Sequence, residues 1–593
     1  MKLTIFATSD VHGTIYPYNY FDRKPLGHGL LVLRSYIEQY KKARPDEIVL
    51  TVDNGDLLQG DVWSDYDVDH PDDPLITEHL NGMYDVIGLG NHEFNFGLDY
   101  LDTLYSRVET PVINSNIDFL DSPLKDKIKK NVMLEVETPD GRINIGFVSA
   151  VPTQIMKWDK QNLEGNVEVS PMQDSIDREV AALKAQGADM VILLSHSGMS
   201  RAKQDLEKFG ENQTLLMTFL KDIDGIVFGH THEMFPHDDY EIDVSTLDIV
   251  KGTVNGVPMV QPDVSASHLG KLSFEIDMTD GFEITDSRAQ LIKASRIEPD
   301  AGLLQKYEGQ HQKVLEYLST ALGEVKTPWH SYFSRVAPSY SVQAVAEAVK
   351  QYTYEIKDEI GLPDLPVLPF ASAVKSGRDG PDDYTVIEPG PSTLSDAIDL
   401  YKHANSFMII KVDGRTLKEW LEWSASQFTS PEHDNLLHPN RSRGGFPGYN
   451  FDLFIELEYT IDINRPPRYA SAAKRISDSE RVVAMSYKGE EIKPDDEFII
   501  PAHNYRVSYT PFLRDREVLH ESDKSIRDLV IRYMKGAPDF ELKNPITVIP
   551  SGKYHFISAT KAREYIKDEP IRHIREMGDG FSWYEIEMLE GYR

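Results

Sequence analysis

Short apolar runs alternate with amphipathic stretches along the first half of the chain. The apolar runs have the length and the β-branched content of buried strands, and they lie at residues 3–6, 48–52, 86–89, 143–148, 190–194 and 226–228. Between them, apolar residues recur at helical spacing, for example over 30–41, 98–107 and 175–186. Alternating strands and helices predict an α/β domain in which helices cover a sheet.

The pattern changes after residue 289 and becomes helical and charged up to about residue 322. Beyond it, helices are predicted over 341–352 and 417–427, with strands over 406–412, 453–463 and 497–501. The tail shows a strand-like stretch at 547–550 and a charged helical pattern near 559–568. We therefore predict a first domain at 1–290, a helical linker at 291–322, a second domain at 323–545 and a C-terminal extension at 546–593.

Polar motifs follow five of the predicted strands of the first half. In chain order they are Asp10-Val11-His12-Gly13, Gly55-Asp56-Leu57-Leu58-Gln59-Gly60, Gly90-Asn91-His92-Glu93, Ser195-His196-Ser197-Gly198 and Gly229-His230-Thr231-His232. In α/β sheets, ligands bind beyond the carboxyl ends of the strands. The five motifs are therefore expected to converge on one site.

The residue types in these motifs indicate metal binding. The chain has no cysteine, so any metal is held by oxygen and imidazole nitrogen. The candidate ligands are Asp10, His12, Asp56, Asn91, His196, His230 and His232. Carboxylate, imidazole and amide oxygen together suit Mn, Zn, Fe or Co. Two such divalent ions about 3.5–4 Å apart are typical of phosphoester hydrolysis, and Asp56 is the natural bridging anion.

Charge and hydropathy narrow the class of partner. With 62 Lys and Arg against 96 Asp and Glu, the formal charge is −34, which repels polyanions and argues against a nucleic-acid duplex. A small nucleotide remains compatible, because bound cations reverse the local charge. No apolar stretch has the length of a membrane span, and no obligate protein partner is evident. The first residues show no apolar signal region, so we expect a cytoplasmic protein, or a secreted one if a signal was removed.

A single Asp-x-His or His-x-His fragment is more often structural than metal-binding, but five such fragments in order are specific. Their order resembles that of the calcineurin-like metallophosphoesterases. The resemblance implies a four-layered β-sandwich flanked by helices, so that the chain is α/β in this domain and α+β overall. It also implies that Asp10, His12, Asp56 and His232 hold one metal and that Asp56, Asn91, His196 and His230 hold the other. His92 would then stabilise the transition state and donate a proton, with its ring oriented by Asn95.

The second half resembles the substrate domain of the 5′-nucleotidase superfamily. The similar segments are Ser376-Gly377-Arg378-Asp379-Gly380, Gly448-Tyr449-Asn450-Phe451-Asp452 and His503-Asn504-Tyr505-Arg506. In that superfamily two aromatic rings sandwich the base, which implies such a role for Tyr449 and Tyr505. Asn450 would contact the base or ribose, and Arg378 the phosphate or ribose. The alternatives are that the tyrosines are core aromatics and that the two polar residues brace their loops.

Together these features resemble the branch of 2′,3′-cyclic-nucleotide 2′-phosphodiesterase/3′-nucleotidases, in which Asn rather than Asp stands at the position of Asn95. The resemblance implies hydrolysis of nucleotide phosphoesters in nucleotide catabolism, either of 2′,3′-cyclic nucleotides or of 3′- or 5′-nucleotides. Two alternatives stay open. One is the same chemistry on another phosphoester or a nucleotide sugar, and the other is a catalytically inactive nucleotide-binding module.

Overall fold

The computed structural model divides into two compact units, Met1–Tyr317 and Leu318–Arg593. It describes residues 1–120, 122–139, 141–200, 210–238, 240, 246–403, 405–440, 445–536, 538–567 and 570–588. None of the helices in these ranges combines the length and the apolarity that crossing a membrane requires.

The first unit is built on two sheets whose central strands are parallel. One sheet has the strand order Glu283–Lys293, His268–Asp277, Lys2–Thr8, Ile48–Asp53, Val86–Gly88, Val112–Ile113 and Ile128–Lys129. The other has the order Leu247–Asp248, Thr253–Val254, Val257–Pro262, Gly225–Phe228, Met190–Ser195, Gly141–Ala150 and Asn131–Thr138, with Met234–Phe235 paired to Val257–Pro262. All six predicted strands are present, each within two residues at its start and two at its end.

Strand alternation explains how the sheets pack. In Lys2–Thr8, Leu3, Ile5 and Ala7 enter a core shared with residues of the second sheet, such as Phe147 and Ile192. Phe6 points the other way, where its ring meets Tyr36 and Tyr40 of a covering helix edge to face.

Helices cover the outer faces of this sandwich. They are Leu30–Ala43, Val62–Asp69, Ile76–Met83, Leu98–Tyr105, Ile155–Trp158, Lys160–Leu163, Met172–Ala185, Thr214–Met217 and Ala301–Leu318. The helix Met172–Ala185 buries Ile176, Val180 and Leu183 against the second sheet. The resulting layers are helix, sheet, sheet and helix, as the sequence predicts.

The predicted linker 291–322 is only partly helical. Residues up to Lys293 extend a sheet strand, because Ala289 and Leu291 continue its inward face, and the helix is Ala301–Leu318. This helix packs on the first unit instead of lying exposed: Tyr307 and Val314 are buried. His311 stacks on Tyr16 with ring centroids 4.3 Å apart.

The second unit has its own core and several small sheets. Its longer strand groups are Glu497–His503, Ser406–Asp413 and Glu517–Ser525; Glu490–Glu491, Val482–Tyr487, Leu457–Asp462 and Ile546–Ile549; and Gly552–Ala559, Phe581–Met588 and Ile571–Glu576. Its strand pairs are Ala321–Val325 with Gly390–Thr393, Trp329–His330 with Val386–Ile387, and Phe370–Ala371 with Leu453–Phe454. Its helices are Tyr340–Ile356, Leu394–Leu400, Gly414–Ser424, Asn504–Tyr509 and Ile526–Lys535.

The C-terminal extension differs from the sequence prediction. The charged segment near 559–568 forms only a short 3-10 helix, Thr560–Tyr565, between antiparallel strands. Alternate residues of those strands, including Phe556 and Tyr584, enter the core of the second unit, so the β period decides the structure. Residues 568–569 and 589–593 of the predicted extension lie outside the described residues.

Candidate functional site

The five polar motifs of the first unit meet at one edge of the sandwich. Each motif begins within three residues of the carboxyl end of a parallel strand, three in the first sheet and two in the second. The structure brings the predicted ligands together in two groups. Ligand atoms lie within 4.8 Å of one another in the group Asp10, His12, Asp56 and His232 and in the group Asp56, His196 and His230. The amide oxygen of Asn91 lies 2.8 Å from Nδ1 of His230.

The backbone at these positions is strained. Five of the seven candidate ligands have positive φ angles: Asp10 at 53°, His12 at 50°, Asp56 at 55°, His230 at 74° and His232 at 54°. Left-handed backbone costs a non-glycine residue of order 1–3 kcal/mol and persists where the surroundings over-determine it. The clustering of such residues at one edge indicates a preorganised site.

Two glycines make the close approach of the loops possible. Gly55 has φ +92°, and a Cβ added there would lie 2.1 Å from the backbone nitrogen of Gly90. A Cβ on Gly90 would in turn lie 2.2 Å from Oδ1 of Asp56. Any side chain at either position would separate the loop of Asp56 from the loop of Asn91.

Glu93 joins the same two loops and holds them in position. No role was predicted for this residue from the sequence. Its buried carboxylate accepts hydrogen bonds from the backbone nitrogens of Asp56 and Leu57, both at 2.8 Å, and of Gly90 at 2.6 Å. Burial raises the pKa of Glu93, and the charge of Asp56 adds to this effect. In the sequence, the indication of this role is its position directly after His92, within one of the five polar motifs.

The donor set fits divalent cations. Oδ2 of Asp56 and Nε2 of His196 are both buried and, among the described residues, have no hydrogen-bond partner, although they lie 3.0 Å apart. Nε2 of His12 and Nε2 of His232 face each other at 3.1 Å. Buried polar atoms without partners are costly, and atoms directed at a common point suit a shared cation.

The far ring nitrogens of three histidines are held by other groups. Nδ1 of His196 donates to the carbonyl oxygen of Asn54 at 2.8 Å, and Nδ1 of His12 donates to the carbonyl oxygen of Gln59. Nε2 of His230 lies 2.7 Å from a carboxylate oxygen of Glu211. Such contacts fix the ring orientation and direct the opposite nitrogen towards the other candidate ligands, where a metal would bind. Glu211 follows no strand and belongs to no recognised motif, so the sequence does not indicate its role.

The acid and base groups of the cluster shift one another's pKa. Burial alone would raise the pKa of Asp56, but nearby His196 and His92 hold it well below its ordinary value. Burial alone would lower the pKa of His196, but Asp56 raises it to about 10. Burial lowers the pKa of His12 to about 4, so this ring is neutral and able to coordinate at neutral pH. The pocket thus holds carboxylate charge that favours cations.

His92 lies beside the cluster and heads a chain of side-chain hydrogen bonds. Its ring is 5.2 Å from that of His12, centroid to centroid, and its backbone nitrogen donates to Oδ1 of Asp56 at 2.7 Å. Nδ1 of His92 lies 2.6 Å from Oδ1 of Asn95, as expected for a residue that orients the ring. Nδ2 of Asn95 donates to Oδ1 of Asp159 at 2.7 Å. Asp159 lies in no predicted motif, and only the fold places it here.

The second unit presents an exposed aromatic surface. Tyr505 is 40% exposed, and Tyr449 is partly exposed. Partial burial and, to a smaller extent, the neighbouring Tyr449 raise the pKa of Tyr505. The guanidinium of Arg378 lies over the Tyr449 ring, 5.0 Å from its centroid, and no described carboxylate forms an ion pair with it. Arg378 is thus free to meet an anionic group.

Asn450 lies underneath this surface rather than on it. Its amide is buried, donating from Nδ2 to the carbonyl oxygen of Ser471 at 3.3 Å and accepting at Oδ1 from Arg506 at 3.3 Å. Arg506 also forms a buried ion pair with Asp452 and donates to the Tyr449 carbonyl oxygen at 2.7 Å. This arrangement is the loop-bracing alternative that the sequence left open. Arg506 supports the Tyr449 loop, a role that was not predicted.

Comparison with known proteins agrees with this geometry. The family described as Calcineurin-like phosphoesterase matches residues 3–234, and the family described as 5′-nucleotidase, C-terminal domain, matches residues 369–510. A 2′,3′-cyclic-nucleotide 2′-phosphodiesterase/3′-nucleotidase of Salmonella typhimurium is 32% identical, over 86% of this chain and 81% of that protein. The chain belongs to the calcineurin-like phosphoesterases of the 5′-nucleotidase type. It is a phosphoester hydrolase, and the predicted family and fold class are confirmed.

Other members of this phosphoesterase family extend the comparison. The Bacillus subtilis protein called trifunctional nucleotide phosphoesterase YfkN is 30% identical over 99% of this chain, which spans 42% of that longer protein. The crystal structure of a putative 5′-nucleotidase from Staphylococcus aureus matches with a TM-score of 0.65 at 21% identity. That structure covers 92% of this chain and is itself covered completely, which shows that both units share its fold.

Proposed function

We propose that this phosphoesterase hydrolyses the phosphoesters of small nucleotides, with 2′,3′-cyclic nucleotides and 3′-nucleotides as preferred substrates. The observation that carries the proposal is the convergence of seven carboxylate, imidazole and amide ligands around Asp56. The named activity of the Salmonella typhimurium relative supports the choice of nucleotide. The role is the breakdown of nucleotides to nucleosides and phosphate.

Two divalent ions would be held by the chain's own residues. Asp10, His12, Asp56 and His232 would hold one, and Asp56, Asn91, His196 and His230 the other, with Mn, Zn, Fe or Co as candidates. When bound, such a pair of cations neutralises phosphate oxygens and lowers the pKa of water at the site. Asp56 is the shared ligand, which agrees with its place in both groups.

His92 would complete the reaction at the leaving group. A water molecule gives up one proton to the solvent, and its oxygen forms a bond to phosphorus while the bond from phosphorus to the ribose oxygen breaks. The ribose oxygen keeps the electron pair and takes the proton from Nε2 of His92, because Nδ1 is engaged with Asn95. Before that transfer, the same ring stabilises the charge that develops on the leaving oxygen.

The second unit would recognise the nucleoside. Stacking a base on an aromatic ring contributes about 1–3 kcal/mol and tolerates every base. Tyr449 and Tyr505 provide such rings on the exposed surface. The guanidinium of Arg378, which forms no ion pair with a carboxylate of the described residues, supplies a cation for phosphate or ribose oxygens. Asn450 supports the Tyr449 loop and contacts the nucleoside only if its present hydrogen bonds are exchanged.

A substrate panel tests the proposal. The purified chain is loaded in turn with Mn²⁺, Zn²⁺, Fe²⁺ and Co²⁺. Phosphate release is measured from 2′,3′-cyclic AMP and a nucleotide sugar with an added phosphomonoesterase, and directly from 3′-AMP and 5′-AMP. We expect turnover of the cyclic and 3′-substrates to exceed that of the others. Preference for the nucleotide sugar would contradict the proposed substrate class. Binding of nucleotides without turnover under any of the four metals would indicate the inactive nucleotide-binding module.

A further inference from the structure

Asp159 has no structural role that explains its place. It is 4% exposed, and one carboxylate oxygen has no hydrogen-bond partner among the described residues. It occupies the N-cap position of the helix Lys160–Leu163, yet its side chain makes no capping hydrogen bond. An Asp at an N-cap normally accepts from the backbone nitrogens of the first turn. Here the carboxylate points away from the helix to a single side-chain partner, Asn95.

The hydrogen bonds that link His92, Asn95 and Asp159 have one consistent assignment of donors and acceptors. A carboxylate only accepts, so Asp159 requires the NH₂ group of Asn95 on its side. The amide oxygen of Asn95 must then face His92, 2.6 Å from Nδ1. Nδ1 therefore carries a hydrogen before and after the proton transfer, and Nε2 is the nitrogen left for chemistry. With an amide at position 159, which both donates and accepts, the Asn95 amide is no longer held in one orientation and can offer NH₂ to Nδ1 instead.

Asp159 also supplies the charge that Asn95 lacks. Burial raises the pKa of Asp159 to about 6, while its hydrogen bond to Asn95 and the charge of His92 oppose that rise, so the group is anionic at neutral pH. Its negative charge reaches His92 through one polarised amide.

We propose that Asp159 is a positioning residue for the reaction, which acts on His92 through Asn95 and keeps Nε2 of His92 able to protonate the leaving oxygen. The proposal rests on the proposed role of His92. It distinguishes Asp159 from a residue that only holds its loop, because the adjacent contact from Nδ2 of Asn162 to the carbonyl oxygen of Phe94, at 2.8 Å, already ties the same two segments together.

The test compares two leaving groups. The ribose oxygen of 3′-AMP needs a proton as it leaves, whereas the nitrophenolate of p-nitrophenyl phosphate does not. For Asp159→Asn in the metal-loaded full chain, we expect kcat to fall about ten-fold or more with 3′-AMP, with KM little changed. With p-nitrophenyl phosphate, kcat should change less than about three-fold. Asn162→Ala, which loosens the same loop, should affect both substrates equally.

Two further variants decide the mechanism. In the double variant Asn95→Asp with Asp159→Asn, the charge moves next to His92 and the new amide at 159 donates to it, so most of the 3′-AMP activity should return. In a His92→Asn background, Asp159→Asn should cost nothing more. Equal losses with both leaving groups, or additive losses with His92→Asn, would overturn the proposal. Failure of the wild-type chain to hydrolyse any nucleotide would instead contradict the proposed function.

Discussion

The candidate metal-ligand loops of the first unit and the aromatic surface of the second unit differ in burial and in backbone strain. The candidate ligands Asp10, Asp56 and His196 are buried completely or nearly so, and the backbone at Asp10 and Asp56 is strained. Tyr505 and Arg378, in contrast, are exposed. Two cations demand fixed positions within a fraction of an ångström, whereas a base only needs a flat apolar face. The difference teaches that a substitution in the first region should act on kcat and metal content and one in the second on KM.

The largest effect is expected at Asp56. The variant Asp56→Asn removes the anion shared by both ligand groups, so we expect kcat to fall by about 10³-fold or more and the second metal to be lost. Metal analysis of the purified protein and initial rates with 3′-AMP measure this. Without metal, the thermal unfolding midpoint should fall at neutral pH, because the pKa of Asp56 is held below its ordinary value by His196 and His92, so its charge stabilises the folded state. If Asp56→Asn retained two metals per chain and full activity, Asp56 would not be a metal ligand.

A smaller effect is expected at Glu211, whose carboxylate contacts the candidate ligands, in the part of the chain that the structure describes, through His230. For Glu211→Gln we expect metal affinity to weaken about 10–100-fold, because the ring of His230 loses its charged partner. Titration of Mn²⁺ against activity measures the shift, and saturating metal should restore most of kcat. Glu233 lies three residues after His230 in the sequence, so the variant Glu233→Gln serves as the control for a general loss of negative charge. An equal shift in the control would show that the net charge, not the contact to His230, sets the affinity.

The smallest effect is expected on the aromatic surface. For Tyr505→Ala we expect KM for nucleotides to rise about five-fold, with kcat unchanged, because a half-exposed ring contributes at the low end of stacking energies. The KM for p-nitrophenyl phosphate should change less. Tyr354, 51% exposed on a helix of the same unit, provides a matched control as Tyr354→Ala. A loss of kcat in Tyr505→Ala, or the same rise in the control, would break the comparison between the two regions.

The predicted strands of the first unit were accurate because short, mainly apolar runs of three to six residues favour a buried parallel strand. The prediction was less accurate where a helical and a strand-like spacing of apolar residues compete. The segment 291–293 was expected in the linker but extends a strand, since pairing with His268–Asp277 satisfies its backbone. The C-terminal segment formed strands because neighbouring strands supplied partners that local charge patterns do not reveal.

The sequence by itself determined the chemical character of the site: absence of cysteine, five Asp, Asn and His motifs at strand ends, and the identity of His92 and Asn95. Only the tertiary structure decided what surrounds them. Glu93 lies in a motif, but two of its three backbone partners, Asp56 and Leu57, come from another loop that the fold brings next to it. Asp159 is 64 residues from Asn95, and their hydrogen bond exists only because two loops meet. Motifs record which groups do chemistry, whereas long-range hydrogen bonds, which fix proton positions, have no local signature.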